Sequence, residues 1–195
     1  YQATGTGKTV TAVMDAKKVG GRTLFVAHTM ELVNQAYNTF KSIWNGVSVG
    51  KFADSVKDYD SHVICGSIQS VALNLDSFKD DDFDYIIIDC PPSLGMLTVN
   101  AFVASDGILV PMQAEFYAVE GLSQLITTTK RVKKLYNEEL NIVGILITMY
   151  NKRLLLSMQV MDELRKYYPD KLFNTTISRN VKLSEAPGFG KPVYY

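Results

Sequence analysis

Residues Ala3 to Thr9 read A-T-G-T-G-K-T, and their types suit the holding of a polyphosphate. Gly5 and Gly7 let the main chain approach phosphate oxygens closely and take up dihedral angles closed to other residues. Successive N–H groups, then the N-terminus of a helix, would face the β-phosphate. Lys8 would set a point charge on the β- and γ-oxygens, and Thr9 would offer its hydroxyl to Mg²⁺. Gly7-Lys8-Thr9 is the end of a Walker A loop, although Gln2 stands where the general pattern has its first glycine. The plainer alternative is an ordinary glycine turn ahead of a helix. On the first reading Thr4, Gly5, Thr6, Gly7, Lys8 and Thr9 bind ATP or ADP, with Mg²⁺ as the companion ion.

Such a loop needs a strand and a helix to aim it. The run after it, Lys8–Val19, has a helical pattern, whereas only Tyr1–Ala3 precedes it as strand material. Short β-branched or aliphatic runs predict strands at Thr23–Ala27, His62–Cys65, Tyr85–Asp89, Gly107–Val110, Ile142–Thr148 and Leu172–Ile177. Several are apolar on both faces, as in a buried parallel sheet. Helices are expected at Met30–Trp44, Ala118–Tyr136 and Leu154–Tyr167. In Ala118–Tyr136 the apolar stripe is Leu122, Leu125, Ile126, Thr129, Val132 and Leu135, with Lys130, Arg131, Lys133 and Lys134 on or beside the solvent face. Strand–helix alternation implies right-handed βαβ units. The expected fold class is α/β, a three-layer P-loop NTPase fold with a mainly parallel sheet and helices on both faces. No repeat or low-complexity linker divides the chain, so one domain over residues 1–195 is expected.

Composition narrows the function classes. The 20 basic and 20 acidic side chains cancel, so bulk charge points neither to nucleic acid nor to membrane. No apolar run is long enough to span a bilayer, and no signal peptide is seen. Cys65 and Cys90 lack metal-ligand spacing, which suits a reduced, cytoplasmic setting. A start at Tyr1 and a stop at Tyr195 after a strand-like tail are what a piece of a longer chain or an engineered chain would show. The run Asp80-Asp81-Asp82 reads as a solvated loop. His28 and His62 are isolated, and a structural role suits them better than that of ligand or base.

Two families are resembled. Residues 1–89 resemble the first motor domain of a superfamily 2 helicase or restriction-type translocase. The resemblance rests on Gln2 to Thr9, on the motif Ia-like run Leu24 to Ala36, and on Gly66-Ser67-Ile68-Gln69-Ser70-Val71. From Asp84 to Tyr195 the chain is similar to the C-terminal half of ParA/Soj-type partition ATPases, relatives of MinD. Here the carrying residues are Asp89 to Gly95, Pro111 to Leu122, Thr148-Met149-Tyr150 and Ile177 to Pro187. Both families place an acidic residue at the end of the strand that closes on Asp89. The resemblance therefore implies that Asp89 holds Mg²⁺ through water, beside Thr9. A crossover there would keep the strand and its carboxylate, the pattern of a chimera, whether engineered, assembled or natural.

The partition resemblance implies further roles. Thr148, Met149 and Ser178 fall where that family encloses the base, with Ser178 replacing a usual proline. Lys152, Arg153, Arg179 and Lys182 would contact DNA phosphates non-specifically, although ordinary surface charge explains them equally well. A homodimer is implied as well, but the family's signature lysine, used across an ATP-sandwich dimer, is Ala3 here. The helicase resemblance expects a glutamate after Asp89, and Cys90 stands there instead. No residue matches a catalytic water-positioning group by motif; Asp54, Asp58 and Asp60 read more simply as loop acids. Pro91 and Pro92 mark a switch-like segment or merely end a strand, and Glu115 and Glu120 suit helix capping and solvation. The expected function is ATP/Mg²⁺ binding akin to ParA-type chromosome or plasmid partition ATPases, with weak or absent hydrolysis. The alternatives are a superfamily 2 motor fragment and a non-catalytic chimera.

Overall fold

A computed structural model describes residues 8–79 and 81–181. These divide into two compact units, Lys8–Pro91 and residues 92–181. The described strands form two hydrogen-bonded sheets, and the expected strand material at 1–3 lies outside the described residues.

The first unit opens with α1 (Lys8–Val19), followed by β1 (Thr23–Ala27) and α2 (Met30–Ile43). Gly20, at φ 83°, ends α1, its N–H reaching the Ala16 carbonyl at 2.8 Å. A glycine takes this left-handed turn without the Cβ penalty. Thr29 begins α2, its Oγ1 accepting the Leu32 N–H at 3.3 Å. The chain continues through β2 (Val49–Ala53), β3 (Val56–Lys57), β4 (Val63–Ser67), α3 (Ile68–Ala72) and β5 (Tyr85–Ile88). The strand order is β3-β2-β4-β1-β5, parallel apart from the β2–β3 hairpin.

Each face of this sheet buries its own cluster. On one, Phe25, Ala27, Val63 and Cys65 meet Val13 and Ala16 of α1 and Val33, Ala36 and Phe40 of α2. On the other, Leu24, Val26, Phe52 and Ile64 meet Val71 of α3, with Phe78 and Phe83 against them. Helices cover both faces, as the apolar runs require. Phe40, fully buried, meets Phe25 edge-on at 6.0 Å between ring centroids.

The second unit contains α4 (Met96–Val103), β6 (Gly107–Gln113), α5 (Phe116–Leu135), β7 (Asn141–Tyr150), α6 (Leu155–Tyr167) and β8 (Leu172–Ser178). Its sheet is parallel, in the order β6-β7-β8. Ile108, Val110 and Met112 of β6 and Ile145 and Ile147 of β7 pack with Leu122 and Val132 of α5 and Val160, Met161 and Leu164 of α6. The expected α5 stripe holds at Leu122, Thr129 and Val132, whereas Leu135 is 65% exposed. It lies in the final turn, where the helix ends and little packs over it. Among the described residues no helix is long and apolar enough to cross a membrane.

Candidate nucleotide site

The loop residues Thr4, Gly5, Thr6 and Gly7 lie outside the described residues, as does Lys182. Lys8 is the first residue of α1, and Thr9 follows half-buried in the same turn. That turn contains no acidic residue, while Lys17 and Lys18 occupy the last turn. The positive end of the helix dipole is therefore left for an outside anion, and the negative end already has cations beside it.

Asp89 directly follows β5, at the carboxyl end of the parallel sheet. Its N–H donates to the Val26 carbonyl at 2.9 Å, extending the β1–β5 ladder by one step. The side chain is half-buried. This rim is where open α/β sheets present groups to a ligand. Among the described residues no three His, Cys, Asp or Glu side chains converge as a metal cage. A lone carboxylate and a hydroxyl nonetheless suit Mg²⁺, which keeps most of its waters and takes phosphate oxygens as ligands.

Cys90 stands beside Asp89, half-buried, with Sγ 3.8 Å from the Ile88 carbonyl. Cys65 is buried, and desolvation pushes its thiol up to about 12 against a smaller pull downward from Lys51. It is therefore an inert core residue.

The loop acids have structural work. Asp58 accepts from the Asp60 N–H at 3.0 Å, the Ser61 N–H at 2.9 Å and the Ser61 hydroxyl at 2.8 Å. Burial raises its pKa, but these donors and the Arg22 charge together hold it below the ordinary value. Asp54 forms the β2–β3 turn at φ 48°. Arg22 knits the same region together, donating to the carbonyls of Tyr59 and Ser61 and to that of Asp82 at 3.1 Å. Asp82 is thus tied down, since its carboxylate also accepts the Lys79 N–H at 2.9 Å; the reading of this run as merely solvated fails at that residue. His62 packs edge-on against Trp44 at 5.3 Å, a structural role as expected.

In the second unit, Thr148 is 1% exposed and its Oγ1 donates to the Met112 carbonyl at 3.3 Å. Its hydroxyl thus ties β7 to β6. Met149 follows in the left-handed region at φ 51°, where the β7–β8 register shifts between Ile147 and Tyr150. A non-glycine residue held so at a sheet rim marks a constrained segment. Ser178, exposed, ends β8 opposite Tyr150, and the Arg179 N–H donates to the Tyr150 carbonyl at 3.1 Å. Thr148, Met149 and Ser178 therefore share the carboxyl end of one sheet. Lys152, Arg153 and Arg179 are exposed. Glu115 occupies the cap position of α5, yet its side chain makes no capping hydrogen bond. The helix begins there without side-chain help.

Sequence reasoning set His28 aside as structural. It immediately follows β1, and its Nδ1 is buried without a hydrogen-bond partner among the described residues. No sequence signal marks such an atom, because its burial comes from residues distant in the chain.

Residues 1–90 match the family model described as the type III restriction enzyme res subunit, and residues 57–142 match one described as an AAA domain. The sporulation initiation inhibitor protein Soj of Bacillus subtilis (strain 168) is 55% identical over 112 residues, covering 57% of this chain and 44% of that protein. The chromosome partitioning protein ParA of Myxococcus xanthus is 52% identical over 112 residues, 57% of this chain and 40% of that one. The chain thus spans less than half the length of these curated relatives.

Among solved structures, cobyrinic acid a,c-diamide synthase of Mycobacterium smegmatis, with bound ATP analog and magnesium, is 25% identical. It has a TM-score of 0.61 over 93% of this chain and 85% of that one. A putative plasmid partition protein of Borrelia burgdorferi B31, bound to AMPPNP, has a TM-score of 0.64 at 22% identity over 96% and 86%. The fold is therefore α/β with mostly parallel sheets, shared with these two proteins.

Proposed function

We propose that the chain binds ATP or ADP with Mg²⁺ as a P-loop NTPase akin to the ParA-type partition ATPases, and that it hydrolyses ATP weakly if at all. The observation that carries this reading is the first unit's layout. An acid-free helix start at Lys8–Thr9 and the carboxylate of Asp89 at a parallel sheet's carboxyl rim belong to the same compact unit. Bound Mg²⁺ would supply neutralisation of the developing charge on the β- and γ-oxygens. Thr4 to Gly7 would bind phosphate through main-chain N–H groups, with Lys8 as their cation. Thr9 and Asp89 would hold the ion and its waters. Thr148, Met149 and Ser178 would line the base, and because the Thr148 hydroxyl is already spent on Met112, contact there would come from the main chain and Met149. Residues 1–195 are read as one P-loop NTPase domain working in the cytoplasm. A homodimer, and non-specific DNA contact through Lys152, Arg153, Arg179 and Lys182, belong to the same reading.

Calorimetric titration with ATP and Mg²⁺, followed by phosphate release with and without duplex DNA, tests the proposal. Saturable binding with turnover far below about 1–10³ s⁻¹ is expected. Absence of binding, or turnover in that range, would overturn it.

The match of residues 1–90 to a restriction-enzyme model favours a second reading, a superfamily 2 motor fragment, which would show strong DNA stimulation. We also read the join near Asp89 as the seam of a chimera, because the restriction-type match ends at residue 90 while the AAA-domain match runs past it, from residue 57 to 142.

A further inference from the structure

Asn45 and Gly46 form the exposed turn after α2, and they are the chain's one Asn–Gly pair. The pair carries two groups that can react with each other. One is the amide carbon of the Asn45 side chain; the other is the main-chain nitrogen of the next residue, which no Cβ shields. Gly46 stands at φ 85°, with nothing within 4 Å of where a Cβ would be. Among the described residues its N–H donates to no main-chain carbonyl. The neighbouring hydrogen bonds stop on either side of the turn. Before it, the Trp44 N–H reaches the Phe40 carbonyl at 2.9 Å, and Lys17 Nζ reaches that of Ile43 at 2.8 Å. After it, the Ser48 carbonyl accepts the Val63 N–H at 3.0 Å. The chain's one Asp–Gly pair, Asp106–Gly107, is placed quite differently. Gly107 is in β6, level with Asn141, and the Asp106 carbonyl accepts the Asn141 N–H at 3.1 Å. Val143 Cγ2 lies 2.5 Å from where a Gly107 Cβ would be, so that main chain has no room to swing.

We propose that Asn45–Gly46 is a site of spontaneous modification, where the folded chain closes a succinimide and reopens it as aspartate or isoaspartate. In the first step the Gly46 nitrogen, having given its proton to solvent base, bonds to Asn45 Cγ. The bond from Cγ to Nδ2 breaks, and ammonia leaves with the electron pair and a proton. In the second step water adds to one of the two ring carbonyls, and the ring nitrogen takes back a proton. Breaking the bond to Cγ gives aspartate; breaking the bond to the main-chain carbon gives isoaspartate, with the chain now running through Cγ. Either product sets a carboxylate just beyond the last carbonyls of α2. It there opposes the negative end of the helix dipole, with Lys17 and Lys41 as the cations at that end.

The test incubates the folded parent, Gly46→Ala and Asn45→Gln in mildly alkaline and mildly acidic buffer. The tryptic peptide 42–51 is then followed by mass spectrometry, and isoaspartate by enzymatic methylation. A synthetic peptide of the same residues is incubated alongside. The parent should lose ammonia at Asn45, faster in alkali, and yield both products at a rate within about 10-fold of the free peptide, because the turn does not hold the nitrogen away. Gly46→Ala should slow the conversion about 10-fold or more, since a Cβ crowds the attacking nitrogen, and Asn45→Gln should show none at this position. Asp106 should isomerise only after unfolding in urea. A folded parent that stays intact while the free peptide converts, conversion indifferent to Gly46→Ala, or folded Asp106 changing as fast as Asn45 would each overturn the proposal.

Discussion

Met149 offers the sharpest check on the second unit's rim. At φ 51° it sits in the left-handed region, which costs a residue with a Cβ roughly 1–2 kcal/mol. Met149→Gly removes that penalty. It also widens the freedom of the unfolded chain, worth about 0.5–1 kcal/mol against the fold. It forfeits a half-buried side chain as well, roughly 1 kcal/mol if half of a full methionine burial is lost. These contributions nearly cancel, so the glycine variant should lie within about 1 kcal/mol of the parent. Met149→Asn should behave similarly, because asparagine tolerates this region. Met149→Val keeps apolar bulk but adds branching at Cβ where φ is positive, and should lose about 1–3 kcal/mol. Urea unfolding gives the answer as midpoint shifts at constant m. Under the proposed function, Met149→Val also weakens ATP binding, because the bend that sets Tyr150 against Ser178 would have to change. A valine variant as stable as the parent, or a glycine variant more than about 2 kcal/mol weaker, would refute the claim that strain at this residue is held by its surroundings.

Lys8→Ala should weaken ATP·Mg²⁺ binding by roughly 2–4 kcal/mol, the scale of losing a charged hydrogen-bonding partner, as read by calorimetry. Cys90→Glu restores a carboxylate next to Asp89 and should raise phosphate release by about 10-fold or more if the first half is helicase-derived, measured against Lys8→Ala as blank. Asp58 has a folded-state pKa below its ordinary 3.8. Its contribution to stability is therefore present above the unfolded value and disappears as pH falls through the folded one. The stability gap between the parent and Asp58→Ala should shrink as pH drops from about 5 toward 2, followed by urea midpoints.

The legibility of the sequence followed the strength of local signals. β1 was readable to the residue because Thr23–Ala27 is a short run dominated by apolar and β-branched residues, all buried. α1 was readable because the glycine loop announces its start. The hairpin β2–β3 was missed: Gly50 and Lys51 break the apolar pattern of a strand whose other residues are buried. Gly50 is there for room, since a Cβ would run into the Asp58 carboxylate. Lys51 reaches Asn34 at 2.7 Å and lies over the Tyr37 ring, so its charge has partners on α2. α3 has five residues, too few to display a period, and α4 was hidden by its proximity to the Asp89 to Gly95 motif. α5 begins earlier than predicted because Phe116 and Tyr117 are 69% and 81% exposed and so add nothing to the apolar stripe. The place of Asp89 just after β5 was legible because the strand-forming run Tyr85–Ile88 ends there. The orphaned Nδ1 of His28 was not, because burial of one atom is a property of the assembled rim.

The proposed seam at Asp89 has a physical logic. β5 is held in the first sheet by its ladder to β1, and main-chain hydrogen bonds do not depend on side-chain identity. Its side chains bind it more loosely. Ile87 joins the cluster with Phe25, but Tyr85 and Ile86 are 40% and 61% exposed, unlike the fully buried Val63 and Ile64 of β4. A foreign strand of similar shape can therefore pair with β1 while disturbing few packed contacts, whereas a seam in β4 would break two clusters at once. Cores tolerate exchange where volume and pattern are kept. Under the proposed reading, the carboxylate at 89 would survive this exchange, because both resembled families place an acid there. Under the same reading, groups acting on the attacking water would differ between the two resembled families, and no shared ladder would protect them. A chain spliced at this strand is thus expected to keep binding more readily than turnover, and the comparison of analogue affinity with hydrolysis rate is the measurement that weighs the two.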